Sequence, residues 1–164
     1  MARQTSRGPV SAEADPGPWY FPGMKTARIG EAGSRDLLVV LEPGDELHAS
    51  VLAAAAEHGI EGGGVSGIGA VDELELGFFC LPDNVYTRRV IKDELEVVAL
   101  NGNLAMKDGK PFLHAHGVFT GRDFSAVGGH VFSARVSITL EIVILATSRM
   151  TRLPNPQFGL TKLL

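Results

Sequence analysis

Apolar residues either alternate with polar ones or gather in short blocks along most of this chain, and one stretch alone has helical spacing. Leu37-Leu38-Val39-Val40-Leu41 is an apolar block bounded by charge and by Pro43-Gly44, which suits a buried strand. From Asp45 to His58 the period changes. Leu47, Val51, Leu52 and Ala55 make a stripe, Gly44 or Asp45 is placed to cap it, and Gly59 to end it, so a helix is expected over 45–58. Strand signals dominate afterwards, over 64–71, 73–80, 85–91, 95–104, 112–120, 129–134 and 137–147. In the last of these, Ile138, Leu140, Ile142 and Ile144 alternate with Thr139, Glu141, Val143 and Leu145, which predicts cover on both faces. One helix followed by many strands indicates an α+β domain, a mostly antiparallel sheet with the helix on one face. Pro154-Asn155-Pro156 ends the regular pattern and leaves 157–164 as a tail. Residues 1–23, rich in Pro, Gly, Ala and Ser and without periodicity, read as a disordered extension before a domain over 24–164. Trp19-Tyr20-Phe21 is unusual in such a segment and is a candidate for docking on the domain or on a neighbouring subunit.

Composition narrows the function. At 164 residues the chain is expected to be one domain that needs neither disulfide nor metal merely to fold. A net charge of −4 argues against a protein that grips nucleic acid mainly through phosphates, so any such role rests on a local patch or a partner. The single cysteine, Cys80, permits no intrachain disulfide, which fits a reducing cytoplasm; in its apolar run it reads as a small core residue. No apolar stretch approaches the ~20 residues of a membrane span, and the N-terminus lacks the apolar region of a secretory signal.

The chemistry is concentrated in Lys110-Pro111-Phe112-Leu113-His114-Ala115-His116-Gly117-Val118 and Val127-Gly128-Gly129-His130-Val131. His114 and His116 are two apart and project from one face of a strand. A loop over Gly121 to Ser125 sets Thr120 opposite Ala126, which puts His116 opposite His130 and His114 opposite Phe132. Directly opposed residues share a face with Cβ atoms ~4.5–5.5 Å apart, so the three imidazoles converge. Three neutral nitrogens with a fourth position open are what a catalytic-type zinc site presents, although nickel, cobalt, iron or copper would also suit them. A slip of one residue would turn His130 to the other face. His48 is expected at the surface, and His58 suits a helix C-terminus.

Glu96, Glu141 and Asp108 lie in or beside strands and are candidates to orient a ligand histidine or serve as a general base; edge charge or an intersubunit ion pair is the competing account. Gly62-Gly63-Gly64 follows a helix and enters a strand, the reverse of a dinucleotide fingerprint, so close backbone packing or a bulge is expected there. There is no Gly-x-Ser-x-Gly elbow, and Arg88, Arg89 and Lys92 form a small basic cluster of the kind usually found on a solvated face.

From Met24 to Leu164 the chain resembles the plant-and-prokaryote conserved (PPC) domain in its stand-alone prokaryotic form. The carriers are Leu41-Glu42-Pro43-Gly44-Asp45-Glu46-Leu47, Val65-Ser66-Gly67-Ile68-Gly69-Ala70-Val71 and Leu76-Gly77-Phe78-Phe79. They continue through Leu95–Asn103, Asp108–His116, Gly128-Gly129-His130, Thr139-Leu140-Glu141-Ile142 and Gly159–Leu164. The resemblance implies a curved antiparallel sheet with one main helix, assembled as a homotrimer. It implies that His114, His116 and His130 match the histidines that bind a metal, commonly zinc, in prokaryotic members. Plant members join the domain to AT-hooks and regulate transcription. Here Ser6-Arg7-Gly8-Pro9 is only a fragment of a hook, and a hook needs its flanking arginines in the narrow minor groove, so direct DNA binding has weak support. The expectation is a cytoplasmic, homotrimeric, metal-binding regulator of DNA-associated type, acting through protein partners. A metal-dependent hydrolase- or lyase-like enzyme at the three-His site, and a purely structural metal, are the alternatives.

Overall fold

The computed structural model describes residues 23–164. In chain order these form β1 (Lys25–Arg28), β2 (Leu37–Leu41), α1 (Leu47–Glu57), β3 (Gly63–Cys80), β4 (Val85–Ile91), β5 (Leu95–Lys107), β6 (Lys110–Thr120), β7 (Ala126–Ala146), β8 (Arg152–Asn155) and β9 (Leu160–Leu163). The extension read over 1–23, with its aromatic patch and hook fragment, lies outside the described residues except for Gly23.

β7 organises the sheet. One of its edges runs along β3, from Gly63 opposite Ala146 to Gly77 opposite His130. Its other edge takes β2 over Leu140–Ile144 and β6 over Ala126–His130. Since β6 also pairs with β5 and β5 with β3, these four strands close a ring of antiparallel ladders. Bulges let the strands bend enough to close it, at Val98 in β5 and between Gly67 and Gly69 in β3. The runs expected as separate strands over 64–71 and 73–80 are therefore one strand, and so are 129–134 and 137–147. The breaks in alternation mark bulges rather than turns.

The alternation in β7 divides inside from outside. Leu140, Ile142 and Ile144 are at most 1% exposed and meet Leu37, Val39 and Leu41 of β2 in one core. The opposite face is not covered as expected, Leu145 being 57% exposed, and Ile138, expected in phase with Leu140, is 67% exposed in an irregular stretch of the β3–β7 ladder. Leu47, Val51, Ala54 and Ala55 bury α1 against this core. Burial of one such Leu or Val side chain is worth ~1.5–3 kcal/mol, so the packed face holds the helix more firmly than its eleven residues would alone.

The helix starts two residues later than expected, at Leu47. Glu46 is the cap, its carboxylate accepting from Ala49 N–H at 2.7 Å, while Asp45 instead accepts from Glu42 N–H at 2.9 Å. At the other end Gly59 N–H reaches Ala56 O and Ile60 N–H reaches Ala55 O, with φ +65° at Gly59 and Ile60 buried. This Schellman pattern needs the left-handed residue that glycine supplies. The segment before α1 also fills a gap on β7. Between the part paired with β2 and the part paired with β6, Gly44 N–H reaches Val136 O at 2.8 Å and Val136 N–H reaches Asp45 O at 3.0 Å. That docking brings the start of α1 toward His130.

The expected tail is a hairpin instead. Arg152 pairs with Leu163, and Asn155 with Leu160, closed by Phe158 N–H to Asn155 O at 3.2 Å. Pro154 lies in this two-stranded unit where it need not donate to a third strand.

Candidate metal centre

The loop over Gly121–Ser125 sets Thr120 opposite Ala126 and His116 opposite His130, in the register expected. The register does not continue to His114 and Phe132. The β6–β7 ladder stops at His116–His130, and Phe132 is the extra residue of a bulge where Glu75 meets Ser133 and Leu76 meets Val131. The imidazoles converge all the same. Ring centroids lie 5.1 Å apart for His114–His116, 5.1 Å for His114–His130 and 5.3 Å for His116–His130. One donor atom from each lies within 4.8 Å of the others, so this trio could hold a metal ion.

The surroundings keep two of the rings neutral. Burial first, then the Arg152 guanidinium and His116, lower the pKa of His114 to about 4. Burial first, then His114, His116, His48 and Arg88, lower that of His130 to about 4. A neutral imidazole has the lone pair a cation needs. His130 Nδ1 is buried without a hydrogen-bond partner among the described residues, which the chemistry of a metal ligand would explain.

β4 and β7 build one wall of the site. Tyr86 and Phe132 lie with ring centroids 5.2 and 4.6 Å from His130, and Arg88 stacks on Phe132 at 3.6 Å. Gly77, opposite His130, makes this possible. A Cβ there would stand 2.8 Å from Tyr86 Cδ1 and would strike the Phe132 ring. The other wall comes from the C-terminal hairpin. Arg152 Nη2 donates to His114 Nδ1 at 2.8 Å and to Asn103 Oδ1 at 3.2 Å, while Nη1 donates to Thr161 O at 3.0 Å. Burial pushes the Arg152 pKa below its ordinary value. Between the walls is a cavity of about 320 Å³ bordered by His114, His130, Tyr86, Phe112 and Arg152.

The acidic candidates lie elsewhere. Glu96 is exposed opposite Thr120, four residues along β6 from His116, and borders a different cavity. Glu141 is exposed on β7 beside Ile68. Asp108, with φ +50°, and Gly109, with φ +76°, form the tight turn between β5 and β6. Cys80 is half-buried near Thr87 rather than in the core. Arg88 and Lys92 of the basic cluster pair with Glu75 and Glu73, each at 3.1 Å.

Sequence reasoning missed Tyr86, Arg152, Glu46 and the position of His48. His48 is half-buried rather than at the surface, near enough to His130 to oppose its protonation, with Nδ1 3.7 Å from Glu46 Oε1. Burial disfavours the Glu46 charge, but the adjacent His48 imidazole and the backbone N–H groups of the first helical turn outweigh it and hold the pKa at about 2. The only sequence signal for this pair was their place at the helix start. Arg152 had none beyond being one arginine near the end.

Fold and site together define an antiparallel α+β domain that carries a three-imidazole cluster on two adjacent strands. The Plants and Prokaryotes Conserved (PCC) domain matches residues 29–148, and the chain belongs to that family, the one named above as PPC. Among solved structures it is similar to a candidate DNA-binding protein from Bacteroides thetaiotaomicron, with 30% identity over 86% of this chain and 96% of that one, and TM-score 0.80. A metal-containing protein from Archaeoglobus fulgidus shares 31% identity over 84% of this chain and 95% of that one, with TM-score 0.73. A PPC protein from Pyrococcus horikoshii, 24% identical over 88% of this chain and 98% of that one, has the same fold with TM-score 0.71. No curated protein matches the chain. Among the described residues no helix is long and apolar enough to cross a membrane.

Proposed function

We propose that the chain is a metal-binding PPC-domain protein that holds a divalent cation, zinc by preference, through His114, His116 and His130. The observation that carries this reading is the approach of three donor atoms within 4.8 Å, on rings of which two are kept neutral. The metal-containing relative from Archaeoglobus fulgidus supports it. Three protein donors leave a zinc ion a position for a further ligand, and the adjoining cavity gives that ligand room. A cation there supplies Lewis-acid polarisation of a bound oxygen.

The role we assign is regulatory, exerted by a homotrimer through protein partners. The Bacteroides relative, described as a candidate for DNA binding, supports the association with DNA. The pairing of Arg88 and Lys92 with carboxylates favours a partner, rather than this chain, as the group that touches phosphates. Self-assembly is supported by the outer face of the sheet, where Ile68 and Val98 are 59% and 53% exposed beside Leu38 and Val143. The cavity beside the histidines favours one second reading, a metal-dependent enzyme acting on a small substrate.

Metal analysis with melting curves tests the central claim. Wild-type protein carries stoichiometric metal, and His114→Ala and His130→Ala lose it while keeping a cooperative transition. Retained metal refutes the site; loss of folding in both variants moves the metal to a structural role. A pull-down that recovers DNA in a salt-sensitive manner only when a protein partner is present supports the regulatory reading.

A further inference from the structure

Arg152 is 7% exposed and is the one charged residue among the described residues that is buried. A guanidinium does not lose its proton inside a protein. Buried charges are ordinarily matched by an opposite charge, because desolvation of an isolated ion is costly. Among the described residues Arg152 has no such match. Its partners among them are Thr161 O at 3.0 Å, Thr161 Oγ1 at 3.5 Å, Asn103 Oδ1 at 3.2 Å and His114 Nδ1 at 2.8 Å, all neutral, and its buried Nε–H has no acceptor among them. No carboxylate among the described residues lies within 4.0 Å of it.

The same cavity collects further groups of one kind. Lys107 borders it, among the described residues also without a carboxylate partner, and so does Tyr86, while no acidic residue among those described lines it. Phe112 and Phe132 give it apolar sides. Its volume of about 320 Å³ is at the low end for small-molecule sites.

We propose that this cavity binds a small organic oxyanion, a carboxylate- or phosphate-bearing molecule, with Arg152 as its anchor and Lys107 as a second cation at the mouth. The anion is the missing counter-charge. A purely structural arginine that ties the β8–β9 hairpin to Asn103 and His114 would need neither an unmatched charge nor an empty donor. Duplex phosphates do not suit the site either, because the guanidinium lies nearly buried behind apolar walls. The inference extends the metal reading and rests on it only where the anion also meets the cation beside His114 and His130.

The test uses the full chain, first stripped of metal by a chelator. Sodium malonate and inorganic phosphate are titrated separately, against chloride at matched ionic strength, with binding heat and melting temperature as readouts. Saturable binding of either probe, with a melting temperature that climbs as the probe is added, is the expected result. Malonate alone marks a carboxylate ligand and phosphate alone a phosphoryl ligand. Arg152→Gln weakens binding about tenfold or more, the scale of one charge-assisted hydrogen bond. Should that variant fail to fold, Lys107→Gln, whose side chain is partly solvated, is read instead and weakens binding several-fold. Absence of saturable binding by the wild type, or unchanged binding in the folded variants, overturns the proposal. The metal content of the wild type as purified separates the two readings. Anion binding without metal leaves the anion site standing while the metal reading falls; metal without anion binding does the reverse.

Discussion

Acidifying the metal-free protein should weaken it through His114 and His130 before any carboxylate is involved. In the unfolded chain these rings take up protons near pH 6.5, but in the folded chain only near 4, because burial and neighbouring cations oppose the charge. Between those values the unfolded state holds more protons, so stability falls as pH falls. The contribution is complete above pH 6.5 and gone below about 4. At ~1.4 kcal/mol per pH unit the gap is worth on the order of 3 kcal/mol for one ring. The second ring adds less than that again, since each ring accounts for part of the other's shift. The assay is urea unfolding of chelator-treated protein between pH 7.5 and 4.5, wild type against the double variant His114→Gln/His130→Gln. The wild type should lose on the order of 3 kcal/mol more than the variant across that range. Parallel stability curves would refute the account of the rings as buried and neutral.

Glu46 has a separate window. Its carboxyl titrates near 4.5 unfolded and about 2 folded, so its contribution is present above 4.5 and lost as pH falls through 2. Glu46→Ala should cost about 1 kcal/mol of urea stability at pH 7 through loss of the helix cap, and the difference from wild type should shrink below pH 4. Gly77→Ala should drive the Tyr86 and Phe132 rings from His130, costing about 1–3 kcal/mol in thermal unfolding and lowering metal affinity in a competition titration. Ile142→Ala, at a fully buried position of β7, should cost about 2–5 kcal/mol by urea unfolding while leaving the metal content of the folded fraction unchanged. Ile68→Lys with Val98→Lys should shift gel-filtration elution to the monomer without altering the far-ultraviolet spectrum.

Periodicity made the strands and the helix legible because each buries one face. The trio of histidines was legible for the same reason: His114 and His116 are in phase, and a short loop fixes the phase of His130. Bulges were not legible. Asp72 in β3 and the Arg135–Val136 step in β7, where the expected strands were divided, break the alternation as a turn would, and only the partner strand shows that pairing resumes. Glu46 escaped notice because cap preferences favour its shorter neighbour Asp45. Arg152 escaped because its meaning comes from groups about forty and fifty residues away, His114 and Asn103, which local pattern does not report.

The position of all three histidines on the two arms of one hairpin has a kinetic consequence. Closing the ring of strands requires β3 to find β7 across the 45 intervening residues 81–125, whereas β6 and β7 are neighbours joined by a five-residue loop. Contacts of short sequence separation form early, and distant ones wait on loop closure. A cation can thus clasp the nascent hairpin while the barrel-like remainder is still open, and metal added at the start of refolding should quicken the reaction more than metal added at its end.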